Sequence, residues 1–172
     1  MAEIKGTPIF RNLVADYLNI GTTLAPDICL MNVMEGIDEN PNAIVVEKHY
    51  VSDASATVIT AGYKQQFPIT GDLYKENKVM EYIRDIGEEQ KVGVETDYYR
   101  VRLYQPITGK VGTYYARKFR VGFEIASISG AGGEIMAIEG NMNTVGDVVV
   151  GTFDVGTRTF TAGTAPVKST GV

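Results

Sequence analysis

A chain of 172 residues matches the usual length of one domain, and 44% hydrophobic against 22% charged residues, with only 6 Pro, excludes a disordered or collagen-like chain. The 16 Lys and Arg against 21 Asp and Glu leave a formal net charge of −5, the wrong sign for holding nucleic acid by phosphate neutralisation. Cys29 is the only cysteine, which rules out an intrachain disulfide or a thiolate metal cluster, and apolar runs such as Val148-Val149-Val150 fall far short of the roughly 20 residues that span a bilayer.

The opening Met1-Ala2-Glu3-Ile4-Lys5 has no apolar signal core, so synthesis in a cytoplasm is expected, with no membrane partner. Residues 1–42 carry weak periodicity. Within them Leu30 to Asn42 reads as a loop of about 13 residues, long enough in a compact domain to suggest a function. Its apolar residues Leu30, Met31, Val33, Met34 and Ile37, flanked by Glu35, Asp38 and Glu39, suit an assembly contact, since Met adapts well to contact surfaces. A core strand is the alternative for the same short apolar run.

Strand composition bounded by glycine then predicts strands at Ala43 to Tyr50 and Thr57 to Phe67. From Asn77 to Ile86 the period changes to helical, with Val79, Met80, Ile83 and Ile86 on one face, Asn77 as N-cap and Gly87 at the left-handed position after the helix. Asp97 to Gln105 alternates, placing Tyr99, Val101 and Leu103 opposite Tyr98, Arg100, Arg102 and Tyr104, as a half-buried strand should. Thr113 to Ser127 repeats this with Tyr115, Phe119, Val121, Phe123 and Ile125, broken by Arg117. The turn Gly130-Ala131-Gly132-Gly133 is too short for a parallel crossover and predicts an antiparallel hairpin to Glu134 to Met142. Strands at Asp147 to Phe153 and Arg158 to Ala162 should form the last hairpin, with Phe153 near Phe160, before a small, polar tail over 163–172.

Catalysis finds little support in these residues. His49 is the only histidine and reads as one polar residue of a strand, while Cys29 sits in an apolar context, so neither suggests a nucleophile and its base. The glycines at 130–133 lie between strands and do not open a helix, unlike a dinucleotide fingerprint. Glu88-Glu89 and Asp38-Glu39 lack calcium-loop spacing and read as solvated surface. The alternation Tyr98-Arg100-Arg102-Tyr104 resembles a small single-strand nucleic-acid platform, but in an acidic chain it reads as a sheet face. No catalytic residue, cofactor or metal is expected.

An ordered set of segments carries a resemblance: Tyr17 to Thr22, Glu47-Lys48-His49-Tyr50, Ser55-Ala56-Thr57, Thr60-Ala61-Gly62-Tyr63, Tyr114 to Val121, Glu139 to Asn143, and Gly151-Thr152-Phe153-Asp154 to Thr159-Phe160-Thr161. From about Asp16 to Thr161 the chain resembles the major tail, or tail tube, proteins of long-tailed, non-contractile bacteriophages and prophages. The resemblance implies a mainly β fold, a β-sandwich or partly rolled barrel with one flanking helix at about 77–87. It implies a single tail-tube domain over 1–172, with 1–42 and 163–172 as assembly arms. It implies a structural virion protein, made in the host cytoplasm, whose hexameric rings stack into a tube that conducts DNA. Its partners are then other copies of itself, tape measure, distal tail and terminator proteins, and DNA in transit. An acidic lining lets DNA slide where a basic one holds it, so the inward face is expected to be net negative. A second reading is a carbohydrate-binding or adhesin-like β-sandwich with Tyr98, Tyr104 and Tyr114 as a sugar-stacking surface.

Overall fold

The computed structural model of the chain describes residues 6–52 and 54–163; the expected tail over 163–172 lies, apart from Gly163, outside the described residues. In chain order the elements are β1 (Val14–Asn19), β2 (Ile28–Leu30), β3 (Met34–Ile37), β4 (Ala43–Lys48), β5 (Thr57–Tyr63), β6 (Gln66–Asp72), α1 (Lys78–Glu88), β7 (Glu95–Pro106), β8 (Thr113–Ser129), β9 (Ala137–Thr144), β10 (Val149–Asp154) and β11 (Thr159–Ala162). The fold is mainly β with one α-helix among the described residues. The chain divides into two compact units, and β8 contributes Thr113 to Arg120 to the first and Val121 to Ser129 to the second.

In the first unit the strands follow the order β2-β1-β7-β8-β10-β11, antiparallel at every pair whose register is resolved. Arg158, in the turn before β11, donates from Nη1 to the Ile28 carbonyl of β2 at 3.1 Å. That bond ties the turn before β11 to β2, so the two ends of the order approach each other in the manner of a partly rolled barrel. Tyr17, Tyr99, Val101, Ala116 and Phe153 form its buried cluster, and Phe153 lies directly opposite Phe160, as the sequence indicates. The expected half-buried strand differs from what forms. Tyr98, Tyr99, Arg100 and Val101 are all buried, so the middle of β7 is covered on both faces.

In the second unit the order is β3-β6-β9-β8, and alternation divides the sheet cleanly. Phe67, Ile69, Ile138 and Met142 point to the buried face, where Tyr82 of α1 meets Phe123 at a 6.1 Å ring separation. The single strand expected over Thr57 to Phe67 is two strands, interrupted at Lys64 and Gln65. Pro68 does not end β6, because its carbonyl faces the β3 side, where it accepts from the Asp38 amide just past the end of β3. The missing N–H falls on that same side, so the proline forgoes only a return bond to Asp38 and leaves the ladder to β9 intact.

The helix starts as its sequence requires: the Asn77 side chain accepts from the Met80 amide at 3.1 Å. Its end does not use Gly87 in the way the sequence suggests. Gln90, with φ 51, is the left-handed residue; its amide donates to the Gly87 carbonyl and that of Lys91 to Ile86, a complete Schellman motif. Gly87 is glycine for another reason, since a Cβ there would lie 2.9 Å from Ile125 Cγ2. Gln90→Gly should therefore stabilise the chain by about 0.5 kcal/mol, raising the thermal midpoint slightly. A lower midpoint would show that the Gln90 side chain contributes more than its backbone strain costs.

The expected loop over Leu30 to Asn42 is also corrected. Leu30 ends β2 opposite Tyr17, Met31 is 6% exposed with its amide donating to the Asp16 carbonyl, and Ile37 is 3% exposed opposite Ile69. Both sheets recruit this short run as edge strands, because pairing satisfies its backbone while Met31 and Ile37 fill core positions. Val33 and Met34 are partly buried, and Leu30 alone among the five remains largely exposed. Met31 and Ile37 are thus unavailable as surface contacts.

Candidate assembly surface

The residues that carry chemistry are dispersed. His49 lies exposed just past the end of β4, and the Cys29 thiol sits 3.4 Å from Asp27 Oδ1. Among the described residues no group of His, Cys, Asp and Glu could hold a metal ion, and no helix is long and apolar enough to cross a membrane. The sugar-stacking surface of the second reading does not exist as drawn. Tyr98 is fully buried and its hydroxyl donates to Asp16 Oδ1, because the face of β7 that carries it packs against Leu18 and Phe119 positions rather than solvent.

Around that hydroxyl is a buried charge cluster of the first unit. Asp16, 4% exposed, also accepts from Arg11 Nη2, and Arg100 Nε stands 3.8 Å from it. Burial pushes the Tyr98 phenol well above its ordinary value, and the Asp16 charge pushes it the same way. Burial likewise raises Tyr99, to about 12, with Asp97 adding to the shift. Stability gained from keeping Tyr99 neutral is complete below the ordinary phenol value near 10 and is lost as pH rises through about 12. The cluster is structural.

The surface with an unmet physical demand is the hairpin of β4 and β5. These strands pair only with each other, antiparallel, with a bulge between Ile44 and Val45. Every residue of β4 and all but Gly62 of β5 are exposed. Cross-strand register places Val46 opposite Ile59, with Ile44 on the same side, and Val45 opposite Thr60 on the other side, with Val58 and Tyr63. Both faces therefore carry open aliphatic side chains, beside Lys48 and Thr57 on the first and Glu47 and Thr60 on the second. A two-stranded sheet is marginal by itself in water, and here both of its faces leave aliphatic side chains open.

A second surface is the face of the β6-β9-β8 sheet opposite α1. Register assembles Gln66, Thr70 and Asp72, then Glu139, Asn141 and Asn143, then Glu124, Ser127 and Ser129 on it. Gln66 Nε2 donates to Asn143 Oδ1 at 2.9 Å and Asn143 Nδ2 to Glu124 Oε2 at 3.0 Å, a polar ladder across three strands. The face holds three carboxylates and neither Lys nor Arg on those paired positions.

What these surfaces define is a β-rich chain in which, among the described residues, the strands of one hairpin pair only with each other. The comparison of folds makes the class specific. The SPP1 tail tube, solved by solid-state NMR and cryo-EM, superposes with a TM-score of 0.66 at 12% identity over 83% of this chain and 78% of that one. The tail of an empty GTA particle, refined helically with C6 symmetry, gives 0.54 at 13% identity over 90% of this chain and all of that one. This chain has the tail tube fold. No family model matches the sequence, and no curated protein does.

Proposed function

We propose that this protein is the structural subunit of a phage tail tube, polymerising as stacked hexameric rings through which DNA passes during ejection. The observation that carries the reading is the uncovered β4–β5 hairpin on a chain with the tail tube fold. Open strand edges and exposed aliphatic residues are a liability in a monomer, and repeated association of identical copies removes both. The two units act together as one ring subunit, made in the host cytoplasm and incorporated in the virion tail. Tape measure, distal tail and terminator proteins are its expected neighbours, and it performs no catalysis. Purified protein imaged in negative stain at rising concentration should show rings or tubes of uniform width. A chain that stays monomeric at high concentration, even with a tail initiator complex present, contradicts the reading.

The acidic ladder face of β6, β9 and β8 suits the lumen, where a surface without Lys or Arg does not hold phosphates. Replacing Asp72, Glu124 and Glu139 together by Lys changes the face by six charges per subunit. Tubes of that variant should bind duplex DNA at low salt and release it steeply as salt rises. Variant tubes that ignore DNA at low salt would place the face elsewhere.

A further inference from the structure

Along β10 and β11, alternation sends Phe153 and Phe160 toward the buried cluster of the first unit and Thr152, Asp154, Thr159 and Thr161 to the opposite face. Thr152 stands directly opposite Thr161, and Asp154 has Thr159 on one side and Thr113 of β8 on the other. With Lys110 these side chains line a cleft of about 350 Å³. Asp154 is oriented there: Oδ1 accepts from the Thr157 amide at 2.8 Å and Oδ2 from the Thr113 hydroxyl at 3.5 Å. The Thr157 amide also holds the Asp154 carboxyl below its ordinary value, so it is ionised at neutral pH. Lys110 lines a second hollow as well, of about 430 Å³, with Pro106, Ile107, Val111 and Tyr114. The loop they share is braced, since the Ile107 amide donates to the Thr113 carbonyl at 2.9 Å and the Val155 amide to that of Gly112 at 3.0 Å. We propose that these two hollows, one hydroxyl-lined and one apolar, joined at Lys110, bind a neutral oligosaccharide.

The lining selects the ligand. Small-molecule pockets of roughly 300–1,000 Å³ are mostly apolar with a few placed polar groups. The cleft beside Asp154 has the volume and the opposite lining, so an apolar ligand there strips water from hydroxyls and replaces none of its bonds. Its lining carries one positive and one negative charge, Lys110 and Asp154, which gives neither a polyanion nor a polycation an advantage. A phosphate meets the Asp154 carboxylate, and among the described residues no group of acids could hold a metal ion. A ligand that donates and accepts through many hydroxyls meets the whole lining. Vicinal sugar hydroxyls donate to the carboxylate, their oxygens accept from the Lys110 ammonium, and threonine hydroxyls serve both ways. The C–H face of a pyranose is apolar and suits the hollow at Tyr114 and Val111. Linked rings reach both hollows where a single ring fills one. Strand preference accounts for the threonines by themselves, but it places neither an oriented carboxylate nor a lysine beside them.

The site stands independently of the tube reading, and its test uses the full chain under conditions that keep it unassembled. Hexaoses of glucose, mannose and N-acetylglucosamine are titrated into isotope-labelled protein and followed by NMR, with inorganic phosphate as the anion probe. At least one hexaose should saturate with a Kd of about 1 mM or tighter, moving the amide resonances of Lys110, Thr152, Asp154 and Thr161. The matching monosaccharide should bind at least tenfold more weakly. Thr152→Val together with Thr161→Val keeps the β-branched shape and removes both hydroxyls. That variant should weaken hexaose binding at least tenfold while keeping the wild-type circular dichroism spectrum. Should it misfold, Lys110→Met decides, on an exposed loop position, with the same tenfold loss expected. Three results overturn the site: no hexaose moves these amides, the shifts fall elsewhere on the chain, or a folded variant binds as wild type does. Phosphate that moves the same amides at lower concentration than any hexaose overturns the ligand class. None of these results bears on whether the protein builds tubes.

Discussion

Replacing Asp16 by Ala should destabilise the chain by about 3–5 kcal/mol, the usual cost of removing one partner from a buried charge pair. The carboxylate is 4% exposed, accepts from the Tyr98 hydroxyl and from Arg11, and lies 3.8 Å from Arg100, whose side chain is 10% exposed. Its loss takes the neutralising charge from a guanidinium already withdrawn from water, and the acceptor from a fully buried phenol. Exposure of Arg11 at 52% limits its own share, since solvent screens that part of the cluster. Asp16→Asn keeps an acceptor without the charge and should fall between wild type and Asp16→Ala. Tyr98→Phe removes one hydrogen bond and should cost about 1–2 kcal/mol. Urea titrations of the three variants under conditions that keep the protein unassembled measure this order. An Asp16→Ala loss below about 1 kcal/mol would show that Arg100 is neutralised by other groups.

Much of this architecture is legible in the sequence where a period runs long enough. The helix from Asn77, the antiparallel pairing of β8 with β9 and the pairing of Phe153 with Phe160 follow from spacing and turn chemistry, although the β8–β9 connection runs over 130–136 and β9 begins at Ala137, three residues later than the four-residue turn implies. Local rules fail where tertiary context decides. Met31 and Ile37 belong to runs of three or four residues, too short for a period to separate a loop from an edge strand. Tyr98 reads as the polar-side partner of Arg100, and only the distant Asp16 makes a buried phenol acceptable there. The β4–β5 hairpin is the instructive case. Ile44-Val45-Val46 is a continuous apolar run, the signature of a strand buried on both faces. Sequence therefore reports burial there, and a single chain shows exposure.

Phe153→Ala should cost about 3–5 kcal/mol and unfold the first unit preferentially. The ring is fully buried, its centroid 4.7 Å from that of Tyr17 and 5.6 Å from that of Tyr99, and Phe153 faces Phe160 on β11 and Tyr114 on β8. Four strands, β1, β7, β8 and β11, thus converge on one side chain. The site cannot shrink to fill the void, because Gly151 on the same strand already lets β11 approach so closely that a Cβ would lie 2.2 Å from the Thr161 carbonyl oxygen. A cavity that the surroundings cannot close lies at the expensive end of the large-to-small range. Phe160→Ala, at a partly buried position, should cost about half as much. Hydrogen exchange locates the damage: amides of β1, β7, β10 and β11 should lose protection while those of β6 and β9 keep more of theirs. Loss of protection in equal measure through β6 and β9 would mean that the two units unfold as one cooperative body.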